Sequence, residues 1–313
     1  MIGCLPTGLP GFAERMRQDG RMRVLDSHLH LWDPEVLTYS WLEGALDWAF
    51  AETELIEEQL VGPGEEAAIF VQADPSEGQQ LDEVRWVDSI AHATGVVAIV
   101  AGARLDRGAE TAAHLAALAE HERVIGVRHL LQSEPDGFAR RPEFIDGARL
   151  VAARGWTFDA CVTTHQIPDV TALAAAVPEL SIVLDHLGKP VIGTADAPLE
   201  PTAEWFGDVR ELASSPQVFC KLSGLPAEAG GVWADEQVAP FLDSVADAFG
   251  PDRLMWGSDW PVSSIDFSAA DGGAYLIGAR QRWFRTVADW ADTRGLDAEQ
   301  IFWSNALAFY GIR

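Results

Sequence analysis

The chain has 313 residues with 22 basic and 48 acidic side chains, and its formal net charge at pH 7 is −26. So acidic a surface repels nucleic acid and anionic lipid, and we exclude both as main partners. Apolar residues make up 48% of the sequence, which is typical of a globular protein with a large core, yet no apolar run approaches the roughly 18 residues of a membrane span.

The first twenty residues contain two prolines and four glycines and lack the continuous apolar segment of a signal peptide. They predict an N-terminal arm over residues 1–20. The three cysteines, Cys4, Cys161 and Cys220, are widely spaced and predict neither a disulfide framework nor a metal site of paired cysteines. These features predict a cytoplasmic protein. The sequence leaves open whether the chain forms a homo-oligomer.

Eight short runs rich in β-forming residues follow along the chain, and alanine- and leucine-rich stretches with helical periodicity separate most of them. The runs are 23–31, 67–73, 96–103, 124–131, 156–162, 180–188, 217–225 and 253–261. Many are almost continuously apolar, as in a parallel sheet that is covered on both faces. This alternation predicts a (β/α)8 TIM barrel, an α/β fold, as a single domain over residues 21–313.

An open, doubly wound sheet is the alternative architecture, and it would need a glycine-rich loop after the first strand. The sequence there is HLHLWDPEVLTYSWLEG, residues 28–44, which is aromatic and contains a proline. Such a segment is too long and too bulky for a phosphate-binding turn, so we favour the barrel.

Polar residues end several predicted strands, at the rim where a barrel of this kind carries its function. Five of the eight histidines map to this rim, namely His28, His30, His129, His165 and His186. Arg128, Lys221 and Asp259 end the fourth, seventh and eighth strands. We therefore expect one cavity that these side chains share.

His28 and His30 are one residue apart, so both should lie on one face of their strand, together with Val24 and Asp26. Two imidazoles and the Asp259 carboxylate would suit one Zn²⁺ or Mn²⁺ ion. The alternative is a structural, hydrogen-bonded histidine pair.

Substrate contacts are less defined by the sequence. Arg128 and His129 are adjacent, so only one of them can point inward. Lys221 is predicted either to contact substrate or to pair with a carboxylate. Trp32 and Trp260 follow rim residues directly and are predicted to wall the substrate site.

The ordered motifs HLHLWDP, GVRH, DHLGKP, KLSG and GSDWP resemble the amidohydrolase superfamily. Within it, they are similar to the branch of sugar-lactone hydrolases that includes L-fuconolactonases, L-rhamnonolactonases and pyrone-dicarboxylate lactonases. The resemblance spans roughly residues 23–310. It implies a (β/α)8 barrel that hydrolyses small cyclic esters.

The resemblance also implies roles for residues. His28 and His30 match the histidine pair of the first strand. His165 and His186 match the histidines after strands five and six, and Asp259 matches the aspartate that handles the attacking water, so these three are the implied catalytic residues. Arg128, Lys221 and Trp32 match positions that approach substrate oxygens. The fourth strand reads GVRHLLQ, without the Lys or Glu that bridges two metals in binuclear members, so one metal or metal-free chemistry is implied.

Lactone hydrolysis is thus the predicted activity, with Asp259 as the base that activates water and a small lactone as the partner. No Gly-x-Ser-x-Gly turn is present, which disfavours a serine acyl-enzyme. Two alternatives stay open, a metal-dependent decarboxylase of the same superfamily and a non-catalytic sugar-binding barrel.

Overall fold

The structure is a computed structural model that describes residues 22–62 and 65–312, so the predicted N-terminal arm lies outside the described residues. Eight parallel strands form one sheet in sequence order. They are β1 (Val24–Leu29), β2 (Glu66–Val71), β3 (Val96–Gly102), β4 (Val124–Leu130), β5 (Thr157–Cys161), β6 (Ile182–Leu184), β7 (Val218–Leu222) and β8 (Leu254–Trp256). Each lies within, or within one residue of, a predicted run.

The sheet curls until β1 and β8 meet. Leu29 forms a parallel bridge to Trp260, just beyond β8. The Asp259 N–H donates to the His28 carbonyl at 2.8 Å, and the His30 N–H donates to the Trp260 carbonyl at 2.8 Å. The segment after β8 therefore completes the ring, and the predicted (β/α)8 barrel is confirmed.

Helices connect the strands and cover the outside of the barrel. They are α1 (Glu52–Ile56), α2 (Gln80–Thr94), α3 (Ala109–Leu118), α4 (Pro142–Ala152), α5 (Ile167–Ala176), α6 (Ala203–Ala213), α7 (Leu225–Glu228), α8 (Asp235–Phe249), α9 (Ala279–Thr293) and α10 (Asn305–Tyr310). A π-helical turn over Gln300–Ser304 leads into α10. Across residues 22–62 and 65–312, no helix combines the length and the apolar character that crossing a bilayer requires.

Apolar side chains form two cores. The larger core lies between the strands and the helices, and a smaller one fills the barrel, where Leu25, Val71 and Met255 meet Ala306 and Phe309 of α10. The Asn305 amide donates to the Leu254 carbonyl at the start of β8, at 2.8 Å. The C-terminal helix therefore covers the amino end of the barrel and leaves the carboxyl end open.

A register shift in β1 corrects one prediction about its faces. Between Asp26 and Leu29, β1 carries one residue more than its partner β2. Leu25 consequently packs inside the barrel, whereas Asp26 faces outward and pairs with Arg280 of α9 at 2.9 Å. The prediction that Asp26 shares a face with His28 is therefore wrong. Bulges of this kind re-aim side chains near active sites, and this one turns His28 inward.

Candidate active site

A cavity of about 360 Å³ opens at the carboxyl ends of the strands. Residues at or beyond every strand except β3 contribute to its wall, within the described part of the chain. Those that matter below are His30, Trp41, Asp74, Arg128, His186, Lys189, Glu228 and Asp259. Of the rim residues that the sequence predicts, His30, Arg128, His186 and Asp259 line this cavity.

Three imidazoles surround one oxygen of Asp259 at the floor of this cavity. Its Oδ1 lies 3.4 Å from Nε2 of His30, 3.7 Å from Nε2 of His186 and 3.8 Å from Nε2 of His28. The Ser263 hydroxyl donates to the other oxygen, Oδ2, at 2.7 Å. Residues from the ends of β1, β6 and β8 thus form one compact cluster, which we call the histidine–aspartate cluster.

Tight turns place these side chains. Residues 186–189 all have positive φ, from 52° to 72°, and Asp259 has a φ of 54°. Non-glycine residues rarely adopt this conformation, and where they do the surrounding structure enforces it, often at functional sites. A Cβ on Gly257 would lie 2.7 Å from that of His28, and one on Gly224 would lie 2.5 Å from the His186 ring. The glycines of the GSDWP and KLSG motifs therefore leave room for the two imidazoles.

The outer nitrogens of the rings indicate where their protons lie. Nδ1 of His30 is 2.8 Å from the Val71 carbonyl, which can only accept, so that nitrogen donates. Nδ1 of His186 contacts the Ser223 hydroxyl at 2.9 Å, and Nδ1 of His28 lies 3.2 Å from a carboxylate oxygen of Asp185. The proton of His30 therefore lies on Nδ1, and its Nε2 presents a lone pair to the cluster. The Ser223 hydroxyl can donate or accept, and Nδ1 of His28 also lies 3.1 Å from the Lys221 ammonium, which can only donate.

Burial sets the charges of the cluster. It lowers the pKa of His186 to about 4 and also lowers the pKa values of His28 and His30, so neutral imidazoles are favoured at neutral pH. Burial alone would raise the pKa of Asp259, but contacts with His186, His30 and His28 outweigh it and hold that pKa below its usual range. Asp259 is therefore ionised, which suits both a ligand and a base.

The cluster fits a single divalent cation. Nε2 of His28 and Nε2 of His30 are only 3.1 Å apart, and two lone pairs at that distance repel unless a cation or a proton lies between them. Ligands about 2.0–2.1 Å from a tetrahedral ion lie about 3.3 Å from one another. The His28, His30 and Asp259 donor atoms have this spacing and the neutral-imidazole and carboxylate chemistry that such ions bind.

Arg128 and His129 take opposite sides of β4, as the alternation predicts. Arg128 lines the cavity, and its guanidinium donates to the Gln72 carbonyl. His129 faces outward, where Nε2 lies 3.2 Å from Glu134 and the ring packs against Phe138. The structure therefore does not bring His129, a candidate substrate contact, to the cavity.

His165 also lies apart from the histidine–aspartate cluster. Its side chain is 63% exposed, and Nε2 pairs with Asp136 at 3.1 Å on the surface. The residue begins a short helical turn beyond β5 and borders a separate groove with Trp205. The geometry therefore gives it no contact with the cluster, contrary to the catalytic role that its position in the sequence suggested.

We expect His165→Ala to change kcat/KM by less than about 3-fold, because surface substitutions of this kind usually act within about 0.5 kcal/mol. His186→Ala is the matched comparison and should lower kcat/KM at least ~10-fold, since its ring touches Asp259. Steady-state rates on one lactone, with circular dichroism as a check on folding, measure both. A large loss in the His165 variant alone would restore that residue to the site.

Lys221, Trp32 and Trp260 are fully buried and do not line the cavity. The Lys221 ammonium pairs with Asp159 and Asp185. Of the two roles predicted for Lys221, the structure therefore shows the pairing with carboxylates. The indole N–H of Trp32 donates to the Trp48 carbonyl at 2.9 Å, and that of Trp260 donates to the Tyr275 hydroxyl at 3.0 Å. These tryptophans shape the loops behind the cavity.

The aromatic wall comes instead from Trp41, whose ring makes a T-shaped contact with Trp32 and whose indole donates to the Ala73 carbonyl at 2.9 Å. Sequence reasoning missed Trp41 because it lies twelve residues beyond the end of β1, inside an irregular loop. Lys189 and Glu228 were missed for a similar reason, since they follow turns. The proline after Lys189, in DHLGKP, was the only local signal.

Glu83 of α2 is buried behind the Ala73–Asp74 segment of the cavity wall. Its Oε1 accepts the Ala73 N–H at 2.9 Å, and Oε2 has no hydrogen-bond partner among the described residues. Burial raises the pKa of Glu83 from 4.5 to about 8. The folded chain therefore keeps a proton here that the unfolded chain releases near its ordinary pKa.

Between these two pKa values the unfolded state binds fewer protons, so the free energy of unfolding should fall as pH rises, by up to about 1.4 kcal/mol per pH unit. Glu83→Gln should remove this part of the slope. Urea unfolding between about pH 5 and about pH 8 measures it, with Glu110→Gln on the exposed face of α3 as control. Identical slopes in wild type and Glu83→Gln would contradict the assignment.

Comparison with known proteins places this architecture among enzymes. A family model described as Amidohydrolase matches residues 25–312. The chain is similar to the L-fucono-1,5-lactonase of Burkholderia ambifaria, with 32% identity over 92% of this chain and 95% of the relative. It is also similar to the L-fucono-1,5-lactonase of Burkholderia multivorans, with 34% identity over 84% of this chain and 89% of that protein.

Among solved structures, an amidohydrolase from Burkholderia multivorans with bound zinc aligns with a TM-score of 0.74. The two chains are 30% identical, and the alignment covers 93% of this chain and 100% of the other. The likeness thus extends over nearly the whole barrel.

Proposed function

Because this chain belongs to the amidohydrolase family, we propose that it is a lactonase that opens the ring of a sugar lactone with water. The observation that carries the proposal is the placement of an ionised carboxylate, Asp259, within 3.8 Å of three imidazole nitrogens at the floor of an open cavity. The L-fucono-1,5-lactonases that resemble the chain over most of their length support it.

We assign the cofactor as one divalent cation, Zn²⁺ or Mn²⁺, held by His28, His30 and Asp259. Histidine nitrogen and carboxylate oxygen are ligands that both ions accept, and the related amidohydrolase solved with zinc supports the assignment. When bound, the cation would supply Lewis acidity that stabilises negative charge on the lactone carbonyl oxygen.

The chain itself would move the protons. The Asp259 carboxylate accepts a proton from the attacking water, while the Ser263 hydroxyl donates to its Oδ2. Asp259 then returns the proton to the ring oxygen as it leaves. Arg128 brings N–H donors and positive charge to the cavity, and the Ser223 hydroxyl contacts Nδ1 of His186, whose Nε2 lies beside Asp259.

The cavity wall offers hydrogen-bond acceptors and an aromatic side chain to a hydroxylated ring. Lys189 lies 4.0 Å from Glu228, so its charge is already opposed. Arg128 shares the wall with two further carboxylates, those of Asp74 and Asp259. Acidic oxygens can accept from sugar hydroxyls, and Trp41 can pack against the ring.

Decarboxylation, the alternative within the superfamily, is less well supported because the relatives that match most of the chain carry lactonase names. A non-catalytic barrel would not need an ionised carboxylate that three buried imidazoles surround. Both alternatives differ from hydrolysis in what they release, and this makes them separable by assay.

The test is to incubate zinc-loaded protein with L-fucono-1,5-lactone and with other neutral aldonolactones, and to follow acid release with a pH indicator. One equivalent of acid per lactone consumed, without carbon dioxide, is the expected result. Carbon dioxide from a benzoic acid substrate would favour the decarboxylase. Binding without turnover of any of these compounds would favour the sugar-binding barrel.

A further inference from the structure

Two charged side chains in the cavity wall, Lys189 and Glu228, take no part in the proposed proton transfers. Both line the cavity, and their side chains are only 24% and 28% exposed. Nζ of Lys189 and Oε1 of Glu228 are 4.0 Å apart, which is too long for a hydrogen bond. Among the described residues, neither the ammonium nor the carboxylate forms a hydrogen bond. We call them the lysine–glutamate pair.

The turns that place His186 also place this pair. Lys189 has a φ of 52°, and its N–H donates to the His186 carbonyl at 2.8 Å. Glu228 ends α7, and its N–H donates at 3.1 Å to the carbonyl of Gly224, whose lack of a Cβ leaves room for the His186 ring. The lysine–glutamate pair is therefore held on the His186 side of the cavity, next to the histidine–aspartate cluster.

The gap within the lysine–glutamate pair has the size of one bridging oxygen. Hydrogen bonds to oxygen are about 2.7–3.0 Å long, so a single oxygen atom can lie at that distance from both Nζ and Oε1 across 4.0 Å. An ammonium only donates and a carboxylate only accepts, whereas a hydroxyl can do both at once. A hydroxyl in the gap would thus accept from Lys189 and donate to Glu228, and a ring carbon that carries only hydrogen could do neither.

We propose that Lys189 and Glu228 are specificity-determining residues that bind one ring hydroxyl of the substrate between them. This assignment deepens the proposed function and rests on it only in taking a hydroxylated ring as the ligand of the cavity. A site that hydrogen-bonds a substrate hydroxyl rejects an analogue without it, because the polar groups of the site are then left unpaired. The lysine–glutamate pair therefore discriminates between a hydroxylated lactone and a bare one.

Two substitutions each remove one charge of the pair and keep the approximate size of the side chain, Lys189→Met and Glu228→Gln. The matched controls are Arg85→Met and Glu120→Gln, which remove the same charges elsewhere on the barrel. Arg85 is 59% exposed on α2, and Glu120 is exposed beyond the end of α3.

The first readout is kcat/KM on L-fucono-1,5-lactone divided by kcat/KM on δ-valerolactone, a six-membered lactone without hydroxyls. We expect this ratio to fall at least ~10-fold in Lys189→Met and in Glu228→Gln, the scale of a hydrogen bond to a charged group. In the two controls it should change less than ~2-fold, as is usual for surface substitutions. Losses that are equal on both lactones, and so leave the ratio unchanged, would show a structural role only and overturn the inference.

Binding of L-fucose, measured by calorimetry on the same proteins, separates this inference from the proposed function. The pyranose ring of L-fucose carries hydroxyls but no ester, so its binding requires no turnover. We expect a dissociation constant at least ~10-fold higher in Lys189→Met and in Glu228→Gln than in the wild type.

Absence of lactone hydrolysis by the wild type would contradict the proposed function, and the L-fucose affinities would still decide the role of the lysine–glutamate pair. Equal affinities in the wild type and both variants would overturn that role, as would a wild type that does not bind L-fucose.

Discussion

Replacing Asp259 with Asn is expected to lower kcat on a sugar lactone by at least ~10²-fold, the usual scale of acid–base catalysis. Under the proposed function, the Asp259 carboxylate takes a proton from water and returns it to the leaving oxygen. Asn keeps the size of the side chain and one acceptor oxygen, which the amide can place where Oδ2 now accepts from the Ser263 hydroxyl, so that contact and the turn at φ 54° should survive. The loss should therefore appear in turnover rather than in folding.

Asp136→Asn is the matched control, because Asp136 is 72% exposed and pairs only with the surface side chain of His165 among the contacts that the structure gives it. Initial rates at saturating lactone, zinc content and thermal unfolding should be measured for both variants. A near-normal kcat in Asp259→Asn with full zinc content would refute the role of Asp259 as the base.

Replacing Lys221 with Met is expected to lower the free energy of unfolding by about 3–5 kcal/mol, the range observed when one partner of a buried ion pair is removed. Lys221 is fully buried and is the ammonium that Asp159 and Asp185 share. Burial raises the pKa of Asp159 to about 6 even with this neighbour present. Without the ammonium, two carboxylates would face one another inside an apolar barrel.

Lys189→Met is the control for this change, since Lys189 is 24% exposed at the cavity rim and lies 4.0 Å from Glu228. It should cost less than about 1 kcal/mol, as partly exposed ion pairs do. If Lys221→Met fails to fold, the double variant with Asp159→Asn should recover part of the loss by removing one uncompensated charge. A Lys221→Met protein as stable as Lys189→Met would contradict the account.

The sequence predicted the barrel well because its evidence is local and repeated. Each strand is an apolar run, each connection is helical, and polar residues such as His28, Arg128 and Asp259 fall where the runs stop. In a parallel barrel all those ends meet, so the convergence of these residues follows from the architecture. This inference needs only the order of the strands and polar residues along the chain, and no interatomic distance.

The sequence could not show which of the predicted rim residues lie away from the cavity. His165 follows β5 directly, but a helical turn carries it to the surface. The bulge in β1 reversed the face of Asp26, because one inserted residue breaks a period of two. Lys221 ends a strand like Arg128, yet it points into the barrel interior, where it pairs with the carboxylates of Asp159 and Asp185. Such outcomes depend on tertiary partners that no local pattern reveals.

The cation site of His28, His30 and Asp259 is tested by a crystal structure of the zinc-loaded protein with anomalous diffraction data at the zinc edge. We expect one strong peak bound by Nε2 of His28, Nε2 of His30 and the Asp259 carboxylate, at the floor of the cavity beside His186. If the protein hydrolyses lactones but its zinc lies elsewhere, or if the cluster stays metal-free at saturating zinc, the assignment is contradicted.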